Sequence, residues 1–134
     1  GGLGGGGAGY GRRGWGDAAR VVVVGADAAP ALVASIKAGT PQVARGPESA
    51  MGRLDCKEPS LIALKGLARD ADDFMLITED DGATGSAACA DAGYPTTHSG
   101  GAGFAGLLAA RADPDALGLT PASRVLVILS EQAS

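Results

Sequence analysis

The opening stretch, Gly1-Gly-Leu-Gly-Gly-Gly-Gly-Ala-Gly9, has almost no side chains to pack and is suited to holding an anion with its backbone alone. Glycine enters φ > 0 without penalty, so consecutive glycines let successive N–H groups converge on one point. A helix directly after the loop would add its free N-terminal N–H groups and its dipole. The alternative reading is a flexible glycine tail. A second glycine-rich turn, Thr97-His-Ser-Gly-Gly-Ala-Gly103, runs straight into a helix of small residues and has the look of another ligand-facing loop. His98 and Ser99 do not make a nucleophile pair, because adjacent side chains diverge and no Gly-x-Ser-x-Gly elbow surrounds them. Ser99 reads equally as a helix N-cap. Cys56 and Cys89 lack metal-ligand spacing and read as buried thiols, and no metal site is expected. Lys37, Lys57 and Lys65 read as exposed helix or loop charges.

These groups must be positioned by a single domain of 134 residues. With 46% hydrophobic and 19% charged residues the chain should fold, and with only 4% aromatic residues its core must be built from Ala, Val, Leu and Ile. The formal net charge of −4, without a basic stripe, excludes nucleic acid as the expected partner. No apolar run reaches membrane-spanning length and no signal-peptide pattern opens the chain, so a cytoplasmic protein is expected. The chain starts in the glycine stretch without a Met or a strand feeding it, and we expect a fragment.

Periodicity supplies the elements. A weak helix is expected over 10–17, and the four consecutive valines in 20–25 predict a strand buried on both faces. A helix should span 27–38, with Asp27 as N-cap and Pro30 in its first turn, and end at Gly39. Helices are predicted over 60–69 and 79–92, the latter with Glu79, Asp80 and Asp81 in its first turn and Gly93 closing it. Residues 73–78 and 124–129 read as further apolar strands. Alternating strands and helices predict α/β architecture, a mostly parallel sheet with flanking helices, with ligands at the carboxyl ends of the strands.

Four motifs then carry a resemblance. Met51-Gly-Arg-Leu-Asp-Cys-Lys-Glu-Pro-Ser-Leu-Ile-Ala63, Asp73-Phe-Met75, Ser99-Gly-Gly-Ala-Gly103 with Leu107-Leu108, and Ser123-Arg-Val-Leu-Val-Ile-Leu-Ser-Glu131 fall in the order seen in diaminopropionate ammonia-lyases. These are pyridoxal 5'-phosphate (PLP) enzymes of the tryptophan synthase β-like fold, fold type II. The chain resembles their C-terminal portion over nearly all of 1–134.

The resemblance implies roles. Gly2, Gly4, Gly5, Gly6 and Gly7 stand where the family's glycine loop holds the cofactor phosphate, and Ser130 is similar in position to a hydroxyl facing the pyridine nitrogen. Otherwise Ser130 reads as a strand-end hydroxyl bonding its own backbone. Ser99 would lie on the cofactor and substrate side. Asp55 and Glu58 would either reach the rim of the site or remain solvated. The implied reaction is α,β-elimination of 2,3-diaminopropionate, or a related amino acid, to pyruvate and ammonia, in an intact enzyme that is a homodimer. The departures are Lys57 and Arg53 at positions expected to be small, His98 in place of Glu, and Gln132 in place of Gly. None of the three lysines has the aromatic-Lys context of the residue that bonds the cofactor, so the isolated chain is expected to be inactive and no residue is assigned as catalytic. Two other readings stay open. A Rossmann-type dinucleotide module is suggested by the G-x-G-x-x-G match at Gly2 to Gly7 with Asp27 downstream. The other is a non-catalytic truncated chain without a ligand.

Overall fold

The computed structural model describes the backbone of residues 2–133 except 44, 46, 56 and 59, and the side chains of these residues except 2–6 and 17. Cys56 therefore lies outside the described residues. The elements are α1 (Gly2–Trp15), β1 (Val22–Ala26), α2 (Ala31–Ala38), α3 (Leu61–Asp70), β2 (Asp73–Ile77), α4 (Glu79–Asp91) and α5 (Ala102–Ala109), with short 3₁₀ turns elsewhere.

β1 and β2 pair in parallel, from Val22 opposite Asp73 to Ala26 opposite Ile77. The Asp27 N–H continues the ladder by donating to Ile77 O at 2.9 Å. Asp27 is not the expected N-cap: the chain turns through Ala29 N to Ala26 O at 3.1 Å, and α2 starts only after Pro30, which holds that position. Gly39, at φ 73, ends α2 as expected. Ser60 precedes α3. Thr78 and Asp81 start α4 with a reciprocal capping box, Thr78 Oγ1 accepting from Asp81 N at 3.1 Å and Asp81 Oδ2 from Thr78 N at 2.9 Å. Such a cap contributes about 1 kcal/mol.

The helices and sheet meet by close approach of small residues. A Cβ at Gly85 of α4 would stand 2.4 Å from Ala105 Cβ and 2.7 Å from Ala105 Cα of α5. On the other side of α5, a Cβ at Gly106 would stand 2.6 Å from Val24 Cγ2 of β1. Ala26, Ile77, Ala102 and Ala105 form the core with Met51, which is fully buried although it belongs to the loop between α2 and α3. Cys89 is a buried free thiol, and burial pushes its titration up.

Two expectations are corrected. The glycine run is neither a loop nor a prelude to a separate helix over 10–17: α1 is continuous from Gly2 to Trp15. Among the described residues the glycines at positive φ are Gly16, Gly39, Gly93 and Gly118, none of them in the opening run. Tertiary packing overrides the poor helix propensity, roughly 1 kcal/mol per glycine relative to alanine. Helix α1 packs on α3. Arg12 fastens its far end, donating to Asp70 O at 2.9 Å, to Asp72 Oδ2 at 2.7 Å, and to Gly16 O and Ala19 O at 3.0 and 3.1 Å. The second correction concerns 124–129, which joins no ladder, since the sheet among the described residues consists of β1 and β2. With no strand beside it, this segment is held by Ser130 N to Gly100 O at 3.4 Å and by side-chain contacts, leaving Val125, Leu126, Ile128 and Leu129 exposed.

Gly85→Ala should destabilise the chain by about 2 kcal/mol in urea unfolding, the overlap with the α5 backbone outweighing the gain in helix propensity. A pH test addresses the join between α1 and β2. The Val21 N–H, followed by the Arg12 guanidinium, holds the Asp72 carboxyl below the usual carboxylate range. A carboxylate whose folded pKa is depressed contributes stability above its unfolded pKa of about 3.9 and loses it as pH falls through the lower folded value. Asp72→Asn should therefore lower stability at neutral pH and flatten part of its loss in acid, measured by urea unfolding at a series of pH values.

Candidate functional site

Thr78 and Glu79 follow β2 directly, and Ala28 follows β1, so the carboxyl ends of both strands open onto the loop around residues 47–57. That loop is tied down by its own charges. Lys57 Nζ donates to Ala28 O at 3.3 Å, Pro47 O at 2.9 Å and Asp55 Oδ1 at 2.5 Å. Asp55 also accepts from Ser49 N at 3.2 Å, and its carboxyl lies below the ordinary range because of the Lys57 ammonium first and that amide second. Ser49 Oγ donates to Glu79, whose other oxygen accepts from Ala50 N at 3.0 Å. Asp55 is thus a structural tie within the loop, and Glu58 is exposed.

The same loop reaches the second glycine turn. Arg53 N donates to Ser99 Oγ at 3.1 Å, and Arg53 Nε stands 3.4 Å from Glu131 Oε1. Ser99 is not the N-cap of α5: that position is Gly101, and it makes no side-chain cap bond. The hydroxyl that organises the turn belongs to Thr97, which accepts from Gly100 N at 2.9 Å and donates to Glu131. Thr96 Oγ1 donates to Glu131 O at 2.6 Å. Sequence reading missed Thr96, Thr97 and Glu131, although a hydroxyl three residues before a glycine amide is a recognisable local turn signal.

Ser130 N donates to Gly100 O, which places Ser130 beside the turn residue that follows Ser99. Its side chain is exposed, and its hydroxyl makes no hydrogen bond among the described residues. The preceding segment touches both glycine elements. A Cβ at Gly103 would lie 3.5 Å from Val127 Cγ1, and one at Gly7 would lie 3.4 Å from Ile128 Cδ1. The glycine run, the Ser99 turn and the Ser130 segment therefore come together, whereas Lys37 and Lys65 stand exposed on α2 and α3. His98 is half-buried beside the turn.

Because the run is helical, its anion-binding groups are those of a helix start. The N–H groups of the first turn, through Gly4, have no intrahelical acceptor, while those of Gly5, Gly6 and Gly7 enter the i→i−4 ladder. The G-x-G-x-x-G match lies inside the same helix, without the strand and turn that give the dinucleotide fingerprint its meaning.

The described residues form a parallel α/β unit with a glycine-rich helix start and an exposed hydroxyl at the end of an apolar segment, donors of the kind a phosphorylated ligand requires. The model of the pyridoxal-phosphate dependent enzyme family matches residues 1–131, and the chain belongs to that family. No curated protein matches it. Among solved structures, the threonine deaminase of T.th. is similar at a TM-score of 0.75 and 17% identity, over 84% of this chain and 41% of that one. A fungal L-serine ammonia-lyase from Rhizomucor miehei is similar at 0.70 and 19% identity, over 85% of this chain and 36% of that one. Maize serine racemase is similar at 0.57 and 16% identity, over 66% and 27%. The chain thus spans less than half the length of each structure, and shares their fold: the fold-type II PLP-enzyme architecture, here a partial domain with a small parallel sheet.

The donor set fits two ends of the cofactor and not the third. First-turn amides suit a phosphate, and the open Ser130 hydroxyl suits a ring nitrogen. The aldehyde needs a lysine amine beside it; Lys57 is engaged by three oxygen acceptors, and Lys37 and Lys65 lie on exposed helix surface. Treatment of the chain with PLP followed by borohydride should spread label over Lys37 and Lys65 ahead of Lys57, read by peptide mass mapping. A single, stoichiometrically labelled lysine would contradict this assignment.

Proposed function

We propose that the chain is the C-terminal, cofactor-facing part of a PLP-dependent ammonia-lyase acting by α,β-elimination on a small amino acid. The likeness of the 51–63 and 123–131 motifs to diaminopropionate ammonia-lyases favours 2,3-diaminopropionate as the substrate, released as pyruvate and ammonia. The observation that carries the reading is the convergence of the Ser130 segment on α1, through Ile128 at Gly7, within a chain matched by the family over 1–131.

The first-turn amides of α1, at Gly2 and Gly4, bind the phosphate, and the helix dipole adds to the attraction. Gly7, without a side chain, lets Ile128 approach the helix backbone and so brings the Ser130 segment against α1. The Ser130 hydroxyl meets the ring nitrogen, and Ser99 contributes to the adjoining wall. When bound, the cofactor supplies the electron sink for Cα deprotonation, and a neutral hydroxyl partner keeps that sink modest. The lysine for the aldehyde end comes from polypeptide other than these residues. The same proposal includes a homodimeric intact enzyme in the cytoplasm.

The test uses pyridoxine 5'-phosphate, which has the phosphate and ring but no aldehyde to label stray lysines. Calorimetric titration of the chain should show saturable binding, weakened up to about tenfold by Ser130→Ala, with inorganic phosphate affinity unchanged. Absence of saturable binding would sink the reading. Reading the coding sequence upstream of Gly1 for a lysine in an aromatic-Lys context tests the source of the missing amine. Assaying pyruvate from diaminopropionate, serine and threonine with the enzyme so completed tests the substrate.

A further inference from the structure

Glu131, next to Ser130, is held from three directions. Its carbonyl accepts from Thr96 Oγ1 at 2.6 Å, Oε2 accepts from Thr97 Oγ1, and Oε1 faces Arg53 Nε at 3.4 Å. The Thr97 hydroxyl also accepts from Gly100 N at 2.9 Å, so carboxylate, hydroxyl and amide form one chain of bonds. Gly100 leaves room for this: a Cβ there would stand 2.8 Å from Glu131 Cβ and 2.9 Å from Glu131 N. Ser130, by contrast, is fixed only through its amide, with its hydroxyl open.

We infer that Glu131 is a positioning residue, which by fastening onto the Thr96 and Thr97 hydroxyls turns the Ser130 side chain toward α1. The contacts of the segment alternate as in an extended chain, where successive side chains point to opposite sides. Val127 lies on Gly103 of α5 and Ile128 on Gly7 of α1. Glu131 lies against Gly100 at the turn before α5, on the side of Val127; continued alternation through Ser130 then puts its side chain on the side of Ile128 and α1. With Glu131 locked to the turn, the segment cannot roll about its own axis, and Ser130 cannot exchange sides. What the hydroxyl meets on the α1 side rests on the cofactor reading above; how it is aimed rests on these bonds alone.

Two readouts separate the inference from that reading. Three-bond NMR couplings of the labelled, ligand-free chain report the χ1 of Ser130. One rotamer should dominate in the native chain and become averaged in Glu131→Ala and Thr97→Val, while Glu131→Gln, which still accepts from Thr97, should largely restore it. Unchanged couplings in Glu131→Ala overturn the inference; should that variant not fold, the comparison of Thr97→Val with Glu131→Gln makes the same decision. The second readout is pyridoxine 5'-phosphate titration. Glu131→Ala should weaken binding about tenfold, add nothing to Ser130→Ala in the double variant, and leave inorganic phosphate binding unchanged. Additive losses overturn the inference. A native chain that binds no pyridoxine 5'-phosphate defeats the cofactor reading, and the couplings then decide the role of Glu131 alone.

Discussion

The close contact of α5 with α4 on one side and β1 on the other is the constraint from which the rest of this structure follows. Gly85 meets Ala105 and Gly106 meets Val24 at distances that leave no volume for a methyl group. In a chain with so few aromatic residues, small residues allow backbones to approach until dispersion contacts substitute for large side chains. The result is a rigidly placed α5, and therefore a rigidly placed turn at its N-terminus. Through Gly100, Thr96 and Thr97 that turn receives Glu131, and with it the segment that bears Ser130.

Helix α1 illustrates the opposite balance. Its glycines cost backbone entropy and bring no side chains, so its helicity comes from α3 and from Arg12, which ties the helix end to the chain before β1 and to the start of β2. The consequence is chemical. A loop of left-handed glycines would have offered converging amides along its length; a helix offers only its first turn, but adds a directed dipole. The amides left without a helical acceptor are confined to the beginning of the run.

The charged departures from the family pattern are absorbed by structure. Lys57 fastens the loop between α2 and α3 through Asp55 and two carbonyls, one of them Ala28 O after β1, and Arg53 links that loop to Ser99 and Glu131. Neither supplies an amine or an acid to a bound ligand. Of the three lysines, Lys57 is engaged by oxygen acceptors and Lys37 and Lys65 stand exposed on helix surface. The chain itself spans less than half of each related structure.

Much of the fold was legible because it rests on local signals. The valine run before Gly25, the apolar run from Asp73, the acidic start of α4 and Gly39 and Gly93 at helix ends each state a backbone preference within a few residues. The small residues of α5 also announced close packing. The misread elements were those whose state depends on distant partners: the glycine run became helical against α3, 124–129 joins no ladder among the described residues, and Asp27 extends the β1 ladder while α2 starts only after Pro30. At the site, Ser99 and Ser130 could be singled out by motif, yet Glu131 and Thr97 had no visible tie across more than thirty residues. The sequence by itself determined the parallel α/β pattern and membership of the pyridoxal-phosphate dependent enzymes, because hydrophobic period and motif order are properties of neighbours along the chain. Only the tertiary structure decided which amides remain free, which charges are already paired and that Glu131 is fastened to the turn before α5, because those depend on contacts between residues the sequence keeps far apart.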